Sequence, residues 1–268
     1  MEKNKSRVFG FWEKASCGED LYLNESSKSG FETQSNERYR LEPYILPFAD
    51  FNSAKNKTVL EIGVGLGADH QKFAESGAIL TGLDLTPRAI ENSIARFKLF
   101  NLESSLFVGD AENMKFKDNS FDEVYSWGVI HHSPNTSKAV SEIFRVLVPG
   151  GEAKIMIYHK WSLIGLMLWL RYALLRFRPF TSLEFIYSEY LESPGTKAYS
   201  KKEAKELFCN FSEVNIQTVL THGDLLESDA GQRHKGIFID IARKLWPRSL
   251  IKKILPNAGL FMLIKAIK

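Results

Sequence analysis

Apolar positions in this chain come in short blocks, spaced by stretches whose apolar residues recur every three or four positions. The blocks near 58–62, 79–84, 105–109, 121–126 and 152–158 have the length and β-branched content of buried strands. The stretches between three of these pairs, about 68–76, 87–100 and 136–147, carry helical periodicity. Thr86 precedes Pro87, a cap followed by a residue suited to the first helical position. Pro149-Gly150-Gly151 is expected to end the third helix and turn the chain into a strand. Strands alternating with helices predict an α/β chain with a doubly wound, mostly parallel sheet. Ligands of such sheets bind at the carboxyl ends of the strands.

Outside this span the pattern changes. Residues 1–57 are polar, with helical character expected around Asn36 to Ala49, limited or broken by Pro43 and Pro47. Trp161 to Phe180 is apolar and aromatic at its start and basic at its end, and its uncharged part stops at Arg171. That is too short for a spanning helix. Two readings fit: a cap burying its apolar side over the ends of the strands, or a helix lying on a membrane surface with Arg171, Arg176 and Arg178 near lipid phosphates. The expectation is the cap, because an insertion after the fifth strand stands over that end of the sheet. A turn-rich, tyrosine-bearing loop spans 188–200, and Ser200 with Glu203 forms a capping box for a further helix. Phe211 to Leu220 alternates as a strand, Ile241 to Leu255 is basic and amphipathic, and Leu260 to Ile267 reads as a last strand.

The most informative stretch runs from Thr58 to Asp84: strand, glycine-rich turn, helix, and a second strand ending in an acid. Its core, Val59-Leu60-Glu61-Ile62-Gly63-Val64-Gly65-Leu66-Gly67, lets backbone approach a ligand without Cβ clashes. Asp84 is placed to accept from two ribose hydroxyls. A nucleoside-containing cofactor follows, and two classes compete. Gly63 to Ala68 fits the dinucleotide pattern, a weak signal taken alone. Glu61, which can face an ammonium group, and the acidic corner Gly109-Asp110-Ala111-Glu112, which can face an adenine amino group, favour S-adenosylmethionine.

With these motifs in order, the chain resembles the class I S-adenosylmethionine-dependent methyltransferases, especially the methyltransferase type 11 group. VLEIGVGLG resembles their first motif, TGLDLT the second, VGDAENMKF the third, FDEVYSWGVIHH the fourth, and EIFRVLVPGGEAKI the helix, turn and strand that follow. The resemblance spans roughly residues 58–158 and is far less specific elsewhere. It implies a Rossmann-like domain over 58–268 with an antiparallel C-terminal strand pair, to which the residue pattern adds a helical cap insertion at about 160–200 and an N-terminal helical or cap segment over 1–57. It also implies roles. Gly63, Gly65 and Gly67 would form the turn against the methionine part of the cofactor, with Glu61 near its amino group. Asp84, with Leu85 beside it, would hold the ribose. Asp110 and Ala111 would hold the adenine, and the Trp127 and Gly128 backbone would lie near the sulfonium. His131 and His132, after the fourth strand, are candidate bases, although paired histidines recur there among methyltransferases with unrelated substrates. Tyr158 and His159, and His222 and Asp224 after the sixth strand, are candidates for substrate contact.

Composition refines this picture. The 268 residues are 44% hydrophobic and 25% charged, enough for a core and a soluble surface. The net charge of +3 divides into −3 over residues 1–160 and +6 over 161–268. The basic half keeps nucleic acid or an anionic lipid open as acceptors. No Asn/Asp-Pro-Pro-aromatic motif follows the fourth strand and no nucleic-acid module is recognisable, which disfavours the former. A non-catalytic cofactor-binding protein is the third reading, against which the complete motif set argues. Two distant cysteines, Cys17 and Cys209, give no metal pattern and suit a reducing cytoplasm. The expected function is methyl transfer to a small, partly apolar acceptor, with no metal.

Overall fold

The computed structural model describes residues 3–227, 244 and 246–268. Seven strands form one sheet: β1 (Thr58–Ile62), β2 (Ile79–Asp84), β3 (Ser105–Val108), β4 (Phe121–Trp127), β5 (Leu147–Tyr158), β6 (Glu213–Val219) and β7 (Phe261–Ile267). Their order is β3-β2-β1-β4-β5-β7-β6. β1 to β5 pair in parallel, and β7 runs antiparallel to both β5 and β6. This is the mostly parallel sheet that the pattern predicts, with the antiparallel C-terminal pair that the resemblance implies. The order reverses at β1, so a crevice opens at the carboxyl ends of β1 and β4.

β1 shows how one sequence feeds two layers. Its side chains alternate across the sheet. Leu60 and Ile62 enter a core with α7 (Thr136–Val146) and α10 (Lys201–Leu207), where Val140, Ile143 and Phe208 are buried. Val59 enters the opposite core with α4 (Ile45–Ala49), α5 (Ala68–Glu75) and α6 (Pro87–Phe100), where Phe48, Phe73, Phe97 and Tyr125 are buried. Thr86 caps α6 by accepting from the Ala89 N–H, with Pro87 opening the helix. Ser200 and Glu203 form the capping box of α10.

Three expectations are corrected. β5 begins at Leu147, before the Pro149-Gly150-Gly151 turn, because Leu147 already pairs with Phe121 and the register shifts before Glu152 pairs with Glu123. The N-terminal segment is helical from its start: α1 (Lys3–Trp12), α2 (Glu19–Tyr22) and α3 (Lys28–Leu41) precede α4. α3 ends before Pro43, and Pro47 sits harmlessly in the first turn of α4. Ser27 caps α3 by accepting from Gly30 N–H, a signal that lies upstream of the expected helix. Of the basic stretch 241–255, residues 241–243 and 245 lie outside the described residues; α11 (Arg248–Ile254) forms within the rest.

The insertion after β5 holds α8 (Leu163–Tyr172) and α9 (Leu183–Tyr190). Leu168, Ala173 and Ile186 pack these helices together, while Leu163 packs on Leu225 and Ile251. The fully buried Asp224 carboxylate ties this region to the sheet. It accepts from Ile164 N at 3.2 Å, Thr221 N at 2.9 Å and Leu260 N at 2.8 Å. Among the described residues, no helix is long and apolar enough to cross a membrane.

Arg96 of α6 joins the N-terminal segment to the sheet domain. Its side chain is fully buried and every donor group finds an acceptor. Nε donates to Gln71 Oε1 at 2.7 Å. Nη1 donates to Gln34 Oε1 at 2.9 Å and the Leu66 carbonyl at 3.1 Å. Nη2 donates to the Phe31 carbonyl at 3.3 Å and to Ser35. Burial lowers its pKa to about 10, so it stays charged at neutral pH. Truncation leaves several buried acceptors unpaired, each costing roughly 1–3 kcal/mol. Arg96→Ala is therefore expected to lose roughly 3 kcal/mol or more of stability, read as a lower urea midpoint at unchanged slope. An unchanged midpoint would show that the N-terminal helices do not depend on this clasp.

Candidate active site

A cavity opens where the sheet order reverses, bounded by the glycine turn, the ends of β1, β2, β4 and β5, and the N-terminal helices. The turn is held open by its backbone. Gly63, Gly65 and Gly67 all have positive φ, at +84°, +52° and +74°. A Cβ on Gly63 would also lie 2.1 Å from Val129 Cγ2, so only glycine fits there.

Acids surround this turn. Asp84 Oδ2 accepts from Gly65 N at 3.2 Å, and Oδ1 accepts from Thr86 N at 3.0 Å and Thr86 Oγ1 at 2.9 Å. Burial raises the Asp84 pKa, against these hydrogen bonds. Glu61, on the same face of β1 as Val59, lies 2.8 Å from His70 Nδ1. Burial pushes Glu61 well above the usual carboxylate range and lowers His70 to about 3, leaving the pair neutral. Asp69 has a different fate. Burial works against its carboxylate, but Arg38 more than compensates and holds its pKa low. Arg38 donates through Nε at 3.0 Å and Nη2 at 2.6 Å, and Tyr39 and Tyr125 add hydroxyl donors at 3.0 and 2.9 Å.

The structure brings Glu61, Gly63, Gly65, Gly67, Asp84, Leu85, Asp110, Ala111, Trp127 and Gly128 to this cavity, together with His132 and Tyr158. Four further candidates stand off it among the described residues. His131 is buried behind Tyr158, ring centroids 4.0 Å apart, with no hydrogen-bond partner for either nitrogen, and burial keeps it neutral. His159 is turned to the Gly259 carbonyl at 3.2 Å. His222 lies in the turn after β6, where its charged neighbours are Glu227, Arg40 and Glu37. Asp224 has its oxygens consumed by the clasp described above. These last three therefore lie off the cavity rather than in its wall.

The expected cap is corrected as well. No residue of α8 or α9 lines the cavity; from the whole insertion only Glu192 reaches it. The cover comes instead from α1, through Lys5, Val8 and Trp12. Lys5 Nζ sits 2.6 Å from Asp110 Oδ2 and 2.7 Å from Glu112 Oε2, fixing α1 over the third acidic corner.

Other wall residues were missed from sequence: Arg38, Glu42 and Glu192. Glu192 Oε2 accepts from Tyr158 OH at 2.7 Å and lies 3.4 Å from His132 Nε2. His132 Nδ1 lies 2.8 Å from Ser193 Oγ and 3.1 Å from Thr196 Oγ1, and Trp12 packs edge-on at 5.3 Å. No local signal marks Glu192, which lies in a loop legible only as turn-rich. Among the described residues, no group of three or more His, Cys, Asp or Glu could hold a metal.

This geometry now meets its relatives. Residues 60–155 match the family model described as a methyltransferase domain. Over that span the chain is similar to known methyltransferases. It is 38% identical over 120 residues to phosphoethanolamine N-methyltransferase 2 of Caenorhabditis elegans, 43% of this chain and 26% of that protein. It is 32% identical over 137 residues to demethylmenaquinone methyltransferase of Tropheryma whipplei, 50% of this chain and 56% of that protein. It thus spans about a quarter to a half of these relatives. A solved phosphoethanolamine N-methyltransferase 2 from Haemonchus contortus, in complex with phosphomonomethylethanolamine and S-adenosylhomocysteine, superposes with a TM-score of 0.62 at 19% identity. That match covers 97% of this chain and 60% of the other, and shows the shared fold. The matched span, 60–155, holds the glycine turn, Asp84, Asp110 and both histidines, and leaves out α1, Arg38, Glu42 and Glu192.

Glu42 offers a test of the cavity's electrostatics. Burial raises its pKa from 4.5 to about 7, against the pull of Arg38 at 3.6 Å. Between those values the folded chain keeps a proton that the unfolded chain has released, so stability falls as pH rises. Relative to Glu42→Gln, the wild type is expected to lose stability from about pH 4.5 to about 7 and then level off. The loss is on the order of 3 kcal/mol. Parallel stability–pH curves for the two proteins would refute the burial of this acid.

Proposed function

We propose that this chain is an S-adenosylmethionine-dependent methyltransferase acting on a small, partly apolar acceptor. The observation that carries the reading is the series Glu61, Asp84 and Asp110, acids at the ends of three adjacent strands around a turn only glycine can form. An adenosine offers hydroxyl and amino donors to Asp84 and Asp110, and an ammonium group gives Glu61 reason to ionise. A dinucleotide would instead bring a pyrophosphate against Glu61 and Asp69, without an unengaged cation among the described lining residues to offset it. Lys5 already holds Asp110, but a carboxylate has acceptor sites for both.

When bound, S-adenosylmethionine supplies a methyl group on a sulfonium, and displacement by an acceptor leaves a neutral thioether. The protein's task is to align the acceptor and exclude water. Val8, Trp12, Met156, Tyr158 and Phe261 supply an apolar wall for it. His132 is our candidate base where the acceptor carries a proton, with Glu192 placed to stabilise the imidazolium that forms. Among the described lining residues, Arg38 is bound by Asp69 and Glu42, and Lys5 by Asp110 and Glu112. That favours a neutral or cationic acceptor over a phosphorylated one. Free Cys17 and Cys209 suit a reducing cytoplasm.

Calorimetry tests the reading. S-adenosylmethionine and S-adenosylhomocysteine are expected to bind, and NAD is not. Asp84→Ala removes charge-assisted hydrogen bonds contributing roughly 1.5–3 kcal/mol each, so cofactor affinity is expected to fall at least about tenfold. Binding of NAD with no response to either sulfur compound would overturn the proposal, and undiminished affinity in a folded Asp84→Ala protein would overturn the role of that residue.

A further inference from the structure

The insertion turns its apolar residues the other way from a cap. Leu163, Leu168 and Ala173 are buried inward, while Leu166, Leu170 and Leu174, spaced four apart, form an exposed outer stripe. The segment that follows is more exposed still: Leu175 is 74%, Phe177 93% and Phe180 100% accessible. Phe177 also holds a left-handed backbone, φ +57°, which is costly for a bulky side chain and which no packing of that side chain rewards. Strain of this kind gathers at functional positions.

Charge says what this face suits. From Trp161 to Leu183 the chain has Arg171, Arg176 and Arg178 and no acid. All three arginines are exposed. Tyr172 and Tyr190 stack at 4.0 Å, and Arg176 lies over both rings while Arg171 lies over Tyr172. Arginine supported on aromatic faces beside projecting phenylalanines matches an interface with phosphates above and acyl chains below. Separately from the cavity chemistry, we infer that α8 and residues 173–180 dock this protein on an anionic lipid surface, with Phe177 and Phe180 inserted and the arginines at the headgroups. α8 begins soon after Tyr158, so the docking face stands at the same end of the sheet as the cavity.

The test is co-sedimentation of the full chain with vesicles at about 0.15 M salt. Vesicles of phosphatidylcholine with phosphatidylserine are expected to retain the protein, and phosphatidylcholine alone to retain much less. Arg171→Glu, Arg176→Glu and Arg178→Glu together are expected to cut partitioning at least roughly a hundredfold. Phe177→Ser with Phe180→Ser is expected to release the protein too. Circular dichroism and an unchanged urea midpoint would show both variants folded. No retention on anionic vesicles, or retention that survives both sets of changes, would overturn the inference. So would a concentration-dependent dimer in sedimentation equilibrium, dispersed by the serine variant and indifferent to vesicles, which would assign the face to a second copy of the chain.

Discussion

The architecture of this protein depends on a buried guanidinium whose partners are all neutral. Arg96 reaches from α6 beneath the glycine turn and holds Gln71 of α5, the Leu66 carbonyl of the turn, and Gln34, Ser35 and the Phe31 carbonyl of α3. A charge so deeply buried is costly unless each donor is satisfied. Here the satisfied donors span three elements, so the cost enforces one arrangement of them. A cavity wall results: α3 cannot leave without stranding Arg96, and the Gly65 to Gly67 turn cannot relax without losing the Leu66 contact. Arg38 makes the reverse connection, from α3 into the buried Asp69 of α5. The two arginines together turn a polar N-terminal segment into part of the site.

This arrangement also sorts the acids of the cavity. Asp69 has a bidentate arginine and two tyrosine hydroxyls, so it is ionised at neutral pH. Glu61 stands close by with only a neutral imidazole, so burial and the Asp69 charge keep it protonated. Two carboxylates in one low-dielectric pocket are pushed to opposite states by their partners. Glu42 falls between them, because Arg38 is shared and sits farther away. The cavity therefore holds protons that an entering cation would displace, a response that a set of fully paired acids could not give.

Much of the fold was legible because its signals are local. β1 to β4, the Thr86–Pro87 cap and the Ser200–Glu203 box depend on residues within a few positions of one another, and those appear where expected. The start of β5 was moved ahead of the Pro149-Gly150-Gly151 turn by a pairing of Leu147 with Phe121 across 26 positions, which no local pattern reports. The cover of the cavity was misassigned for a related reason. A helix such as Leu163 to Tyr172 is apolar nearly all round, so periodicity cannot say which side is buried. That choice was made by Asp224, which binds the Ile164 N–H from 60 positions away and is itself saturated by Thr221 and Leu260. The sequence marks Asp224 only as an acid after a strand, the same description that fits Asp84.

His131 and His132 show the same limit at the scale of one residue. In the tight turn Ile130–His132 the two rings lie side by side, centroids 4.2 Å apart, yet only His132 lines the cavity. His132 meets Glu192, Ser193 and Thr196, all from the far insertion, and faces the cavity. His131 packs against Tyr158 and His132, with burial keeping it neutral. Its position behind Tyr158 still has a consequence. Tyr158 stacks on Phe261 and donates to Glu192, so the ring that His131 supports is the one that aims the Glu192 carboxylate toward His132. One histidine faces the cavity and the other braces the residue that orients Glu192 beside it, a division visible only once the insertion is folded against the sheet.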